Sequence, residues 1–123
     1  MTALQVQYIL IERYYQRAQS VYIVPEGLSL HEVTAIIRHV DILISPDTSL
    51  IHIARLMNIP VVGLYSGHLR NYRFWRPYRQ ECGSVIANNV HNLHDITAER
   101  VVEAFGQVVQ KYFPSVKYSL RNS

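Results

Sequence analysis

A single cysteine, Cys82, is the whole of this chain's thiol chemistry. That excludes an internal disulfide framework and, with no companion cysteine, a familiar structural zinc site. Cys82 reads as a small apolar residue for a buried place, in a protein kept in a reducing compartment. Glycine and proline are scarce, 5 of each in 123 residues, and no tract is of low complexity, so a disordered or fibrous chain is excluded. Long apolar runs are missing too. The stretch Tyr8 to Ile11 falls far short of the roughly 20 residues that span a bilayer, and the N-terminus has neither the basic start nor the cleavage site of a secretory signal. A cytoplasmic location is the expectation. No Walker A loop or nucleophile elbow occurs. His91 and His94 lie three apart without a convergent carboxylate on a credible helix, so they read as loop residues rather than ligands. No catalytic residue, no cofactor and no metal ligand is assigned.

What the chain does have is core-forming material. It is 49% hydrophobic and 17% charged, with a formal net charge of +3, which suits one folded domain over residues 1–123 and scarcely two. Helical and strand-like segments alternate, pointing to an α/β fold with a parallel sheet of about four strands and helices on both faces. A first helix is predicted from about Ala3 to Ala18, its start blurred by Gln5 and Gln7, followed by a first strand at Val21 to Val24. Pro25-Glu26-Gly27 breaks the chain. Ser29 with Glu32 three residues later then forms a capping box for a helix carrying Val33, Ile36, Ile37 and Val40, ending near His39. Strands are predicted at Ile42 to Ile44, Val61 to Tyr65 and Ser84 to Ala87. The last helix starts around Thr97 and places Val101, Val102, Phe105, Val108, Val109 and Tyr112 on one stripe before Pro114. Asp95 and Thr97 are the candidates for its cap, with Glu99 in its first turn. Residues 115–123 are expected to form a flexible tail.

The most informative junction is Ile42 to Ala54, where an apolar run ends at Pro46 and Asp47, Thr48 or Ser49 can open a helix. Two readings compete. The plain one is an N-cap of the kind any strand-to-helix turn needs. The other is an anion site, because the first N–H groups of a helix lack intrahelical partners and stand at the positive end of its dipole.

Resemblance favours the second reading. Asp47-Thr48-Ser49-Leu50-Ile51-His52-Ile53-Ala54, followed by Asn58-Ile59-Pro60-Val61-Val62-Gly63-Leu64-Tyr65, resembles the Asp-Thr-Gly-x-x-His-x-Ala motif of family 9 glycosyltransferases, the ADP-heptose lipopolysaccharide heptosyltransferases. Leu28-Ser29-Leu30-His31-Glu32-Val33 is similar to their Leu-Ser-Leu-x-Glu-Leu segment. The resemblance implies the later part of the C-terminal Rossmann-like domain of a GT-B enzyme, three-layered, binding an ADP-sugar or other nucleotide sugar. It also implies that the acceptor domain, with its general base, lies outside this chain, so activity alone is not expected. By resemblance, Thr48, Ser49 and the following amides would hold the diphosphate, Asp47 would lie near the transferred sugar, and His52 would either buttress the loop or contact ligand. The sequence departs from the family pattern in two places. Ser49 stands where the family has glycine, and Ser66-Gly67-His68 stands where relatives show Gly-Pro-Thr.

In open α/β sheets ligands bind beyond the carboxyl ends of the strands. The loops Pro25 to Leu28, Ser45 to Ser49 and Ser66 to Arg70 are therefore expected to converge there, with Ser66, Gly67, His68 and Arg70 joining the site. Next to them, Arg70, Arg73, Arg76 and Arg79 recur every third residue among Tyr72, Phe74, Trp75 and Tyr78. If helical up to Pro77, this segment offers guanidinium groups to phosphate or to an anionic glycolipid acceptor, or packs arginine stems over aromatics on a solvated face. Nucleic acid is not expected, since the patch is local and comes without a recognised RNA-binding motif.

Two functions follow. One is the nucleotide-sugar-binding portion of a heptosyltransferase-like enzyme of lipopolysaccharide core biosynthesis, peripheral to the inner face of the membrane. The other is a noncatalytic module that binds a protein or anionic surface through Arg70 to Arg79. Absent early strands would expose a sheet edge, so a homo-oligomer or a separate N-terminal domain is the expected partner.

Overall fold

The computed structural model describes residues 2–13 and 21–114. Eight elements follow one another: α1 (Ala3–Arg13), α2 (Leu30–Ile37), β1 (Leu43–Pro46), α3 (Ser49–Leu56), β2 (Val61–Tyr65), α4 (Leu69–Trp75), β3 (Ser84–Ile86) and α5 (Ala98–Tyr112). The strands form a parallel sheet in the order β1-β2-β3, with Leu43 opposite Val61 and Gly63 opposite Ser84. The central strand β2 is buried along its whole length, which is why it reads as a continuous apolar run instead of alternating.

Side chains of β2 separate the core into two halves. Val62 and Leu64 join Val85, Ala87 and the α1 and α5 residues Val6, Leu10, Val101, Val102 and Val108. Val61 and Tyr65 join Leu43 with Ile37 of α2 and Ile51 and Ala54 of α3. The sheet is therefore sandwiched between helices, as expected for a Rossmann-like arrangement.

Local signals explain most boundaries. Ser29 caps α2 in a complete capping box with Glu32, and these hydrogen bonds, the Ser29 backbone N–H first and its hydroxyl second, hold the Glu32 carboxyl below its ordinary range. At α1 the polar residue that blurs the helical spacing is itself part of a box: Gln5 Oε1 accepts from Thr2 N–H at 2.7 Å, and Thr2 Oγ1 accepts from Gln5 N–H at 3.1 Å. Helix α3 ends in a Schellman turn, with Asn58 at φ 59°, Ile59 N–H donating to Ala54 C=O at 2.9 Å and Asn58 N–H to Arg55 C=O at 3.1 Å. Thr97 caps α5 by accepting from Arg100 N–H. Asp95 takes a different part, accepting from the N–H groups of Asn88 at 3.1 Å and Asn89 at 2.9 Å.

The sheet has three described strands rather than about four. Val21 to Val24 is not a strand: the Val21 carbonyl accepts from Gln7 Nε2 of α1 at 3.0 Å, Val21 packs into the α1/α5 half of the core, and Tyr22 to Val24 are exposed. Apolar β-branched residues favour a strand only where another strand supplies the ladder. The predicted continuation of the first helix toward Ala18 and the tail at residues 115–123 lie outside the described residues.

A buried glutamine completes the sheet where β3 has not yet begun. The N–H of Val61 donates to Gln80 Oε1 at 2.9 Å, while Gln80 Nε2 donates to the carbonyls of Val61 and, at 2.6 Å, Cys82. The side-chain amide thus pairs with Val61 as a strand peptide would. Gln80→Ala should lower unfolding free energy by about 2–4 kcal/mol, because it strands buried backbone groups. Gln80→Glu should not restore it, since a carboxylate would face two carbonyls. Urea denaturation of the three proteins checks this.

Candidate functional site

The site begins at the end of β1. Pro46 lies opposite Leu64, and Asp47 N–H donates to the Leu64 carbonyl at 3.0 Å, so the corner is pinned to the end of β2. Thr48 is extended at φ −140°, ψ 169° and caps α3, its Oγ1 accepting from Leu50 N–H at 3.2 Å. Ser45 Oγ donates to the Pro46 carbonyl at 2.9 Å and lies 3.3 Å from Thr48 Oγ1. The one Ser45 proton being spent on Pro46, Thr48 is the donor of that second bond. Both capacities of the Thr48 hydroxyl are therefore used in holding the corner. Pro46 to Ser49 are exposed, and the Ser49 N–H, at the first position of α3, precedes the onset of intrahelical bonding. The amides and the Ser49 hydroxyl, rather than the Thr48 hydroxyl, are what this corner offers an anion.

Beside it runs the loop after β2. Gly67 N–H donates to the Asn89 carbonyl at 2.8 Å, and a Cβ at Gly67 would come within 2.7 Å of the Ala87 carbonyl oxygen and 2.8 Å of that of Asn88. Glycine is needed there for close approach of the two loops, and its amide is already engaged. Asp95 fixes the opposing loop by gripping Asn88 and Asn89. Ser66 is half-buried, and His68 is exposed with its carbonyl accepting from Tyr72 N–H at 3.2 Å. Arg70, also exposed, sits in the first turn of α4. The corner and the Ser66 to Arg70 segment thus lie at adjacent strand ends. Pro25 to Leu28 is not brought there by a strand, because none among the described residues leads into it.

Helix α4 is secured from α3 and β2. The His52 ring meets Trp75 edge-on at 5.7 Å, and Tyr72 meets Tyr65 likewise at 5.0 Å. The Tyr65 hydroxyl donates to the Trp75 carbonyl at 3.2 Å. One turn beyond His52, the buried Arg55 donates through Nε to the Tyr78 carbonyl at 2.8 Å and through a terminal nitrogen to that of Arg79 at 3.3 Å, and its guanidinium lies 5.8 Å from the Tyr112 ring centre. Carbonyls and a π face satisfy this cation. Sequence reading placed Ser45 in the converging loop without its hydroxyl bonds and assigned no role to Arg55 or Tyr65; a polar residue at an inward strand position and an arginine on the apolar face of α3 were the available signals.

Electrostatics agree with this proximity. Desolvation pushes the Asp47 carboxyl above its ordinary value, with His52 pulling the other way. Burial, and then the charge of Asp47 and the neighbouring Tyr72, push the Tyr65 phenol up. Among the described residues no cluster of His, Cys, Asp and Glu is arranged to hold a metal ion, and no helix is long and apolar enough to cross a membrane.

A folded-state value above the unfolded one means that the contribution of Asp47 to stability is full below its ordinary 3.8 and is lost as pH rises through the raised value. Asp47→Asn should accordingly raise Tm near neutral pH, and the gain should fade as pH falls below that range in thermal scans. Gly67→Ala should lower stability by about 1–3 kcal/mol by forcing the two loops apart, measured in the same scans.

Comparison with known proteins agrees with the motif. The model of glycosyltransferase family 9 (heptosyltransferase) matches residues 11–105, a span that holds the corner, the Ser66 loop and α4. The lipopolysaccharide core heptosyltransferase OpsX of Haemophilus influenzae is 34% identical over 79 residues, which make up 64% of this chain and 20% of that protein. The chain therefore spans about a fifth of the length of this curated relative. No solved structure matches it. With the family model covering most of the sequence and its motif standing at the carboxyl edge of the parallel sheet, the chain belongs to glycosyltransferase family 9.

Proposed function

We propose that this chain is the donor-binding portion of a heptosyltransferase-like glycosyltransferase of lipopolysaccharide core assembly, and that the Asp47 to Ser49 corner takes the diphosphate of an ADP-sugar or other nucleotide sugar. The observation that carries the reading is the Thr48-capped start of α3, exposed at the carboxyl end of a buried parallel strand. A diphosphate there accepts from the Ser49 amide and hydroxyl and gains from the α3 dipole. Arg70 on the adjacent loop supplies a guanidinium for the same charge, and Ser66 and His68 line the approach.

Sugar transfer sends negative charge onto the departing nucleotide diphosphate. Donors fixed before the reaction, on a backbone already held by Thr48 and Ser45, stabilise that charge without reorganising. Asp47 lies on the sugar side, where a carboxylate can accept from sugar hydroxyls. His52 acts as a positioning residue, between Asp47 and Trp75. The acceptor, an anionic glycolipid in this reading, and the base that activates it belong to a part of the enzyme beyond this donor portion, at the inner face of the membrane in the cytoplasm of a bacterium.

The test is calorimetric titration with ADP and an ADP-sugar. Ser49→Glu puts a negative charge where the phosphate would sit, while remaining favourable to the helix start. It should keep Tm within a degree or so of the parent and weaken ADP binding at least about tenfold, or 1.4 kcal/mol. Ser49→Gly should bind as well as the parent or better. Failure of the parent to bind ADP, or undiminished binding by the glutamate variant, would overturn the site.

A further inference from the structure

Between Thr48 and Gln80 the chain has no acidic residue, yet it carries Arg55, Arg70, Arg73, Arg76 and Arg79. Arg55 is buried and committed to the turn after α4, whereas the other four are exposed. Helical spacing sorts the segment. Tyr72 and Trp75 face inward on Tyr65 and His52, which leaves Arg70, Arg73 and Phe74 as an outward stripe at i, i+3 and i+4. Phe74 is 70% exposed and Leu69 60%. Phe74 thus stands in solvent among cations on the side of α4 opposite its packing contacts, with Leu69 exposed at the start of the helix.

We infer that this outer face of α4, with the turn through Arg79, is a docking surface for an anionic lipid bilayer. Leu69 and Phe74 enter the boundary between headgroups and acyl chains, while Arg73, Arg76 and Arg79 meet lipid phosphates around them. Charge complementarity selects the occupant: a basic stretch without a single carboxylate, ringed by exposed apolar side chains, matches a negatively charged surface with an apolar layer beneath it. Single-stranded nucleic acid is the poorer match. Base stacking uses a run of free ring faces, but Tyr72 packs on Tyr65 and the Arg79 guanidinium lies 5.1 Å from the Tyr78 ring centre, which leaves Phe74 and the outer part of Trp75. An aliphatic residue such as Leu69 has no counterpart in base recognition. Because α4 follows the loop beside the Asp47 corner, docking would keep the carboxyl edge of the sheet close to the membrane. The orientation of a glycolipid acceptor toward that edge rests on the glycosyltransferase reading; the surface itself does not.

Trp75 is the only tryptophan in the chain and stands at the rim of this face, 52% exposed, so its fluorescence reports docking directly. The full chain is mixed with vesicles of phosphatidylcholine alone and of phosphatidylcholine with phosphatidylglycerol, and binding is read by co-sedimentation and by the Trp75 emission maximum. Expected are binding to the phosphatidylglycerol vesicles only, a blue shift of Trp75, and weakening as salt rises. The double variant Arg73→Gln/Arg76→Gln should lower partitioning at least about tenfold. Phe74→Ser should abolish most of the blue shift. All three substituted residues are exposed, and circular dichroism checks that the variants remain folded. ADP titration of the same proteins without vesicles separates the two proposals, since neither variant removes a group assigned to the diphosphate. Equal binding to neutral vesicles, absence of binding, or tighter binding of a single-stranded oligonucleotide than of the anionic vesicles would each overturn the membrane surface, whatever ADP does.

Discussion

The hydrogen bond from Asp47 N–H to the Leu64 carbonyl is the last rung of the β1–β2 ladder, and the geometry of the carboxyl edge depends on it. Up to that rung the chain is a buried parallel strand; immediately after it the backbone must turn and open a helix. Thr48 makes the turn with a hydroxyl that accepts from Leu50 N–H and donates to Ser45, which in turn donates to Pro46. Each member has one proton and uses it, so the small network is closed. Closed networks hold one arrangement well and tolerate the loss of a member poorly. The amide of Ser49 is aimed by this network rather than by any ligand.

That arrangement explains why the motif was readable and why part of its meaning was not. Pro46 and the three small polar residues announce a strand end and a helix start from composition alone, and the buried run Val61 to Tyr65 is a strand at any reasonable reading. Ser29 with Glu32 and Thr97 with the stripe of α5 are equally local, since cap and helix lie within a few residues. What escaped was non-local. Which of Asp47, Thr48 and Ser49 is the cap depends on Ser45 at an inward strand position, and the use of Thr48's proton depends on where the proton of Ser45 goes. Val21 to Val24 has the composition of a strand but bonds to Gln7 instead, because strand formation is decided by the partner and not by the segment. Asp95, a reasonable cap by position, is drawn off to two loop amides that no spacing rule connects to it.

Glycine shows the same division. Gly67 stands in sequence in a loop after a strand, yet its conformation is not the reason for it: two carbonyl oxygens of the neighbouring loop occupy the space a Cβ would need. The departure at Ser49 has the opposite character. Ser49 is exposed at the first position of α3, so its side chain adds a hydroxyl without crowding the fold. A side chain at that place narrows the approach to the amide while contributing a donor of its own, a trade that glycine does not make.

Helix α3 ties these parts into one unit. Its N-terminus is the corner, its first turn carries His52 against Trp75, and its next turn carries Arg55 into the carbonyls of Tyr78 and Arg79. His52 and Arg55 are three residues apart and so fall on one side of the helix, which means that the basic segment is attached at Trp75 and at its Tyr78–Arg79 end to the element that begins at the corner. Arg55 is the stronger attachment, because a buried guanidinium deprived of its carbonyls would be left without solvent or counter-charge. The exposed arginines therefore do not sit on an independent flap: their backbone is fixed to α3 on one side and, through Tyr65, to β2 on the other. The outer face of α4 and the Asp47 corner are thus joined through a single eight-residue helix. Motion of one relative to the other would require breaking either the α3 N-cap or the Arg55 contacts.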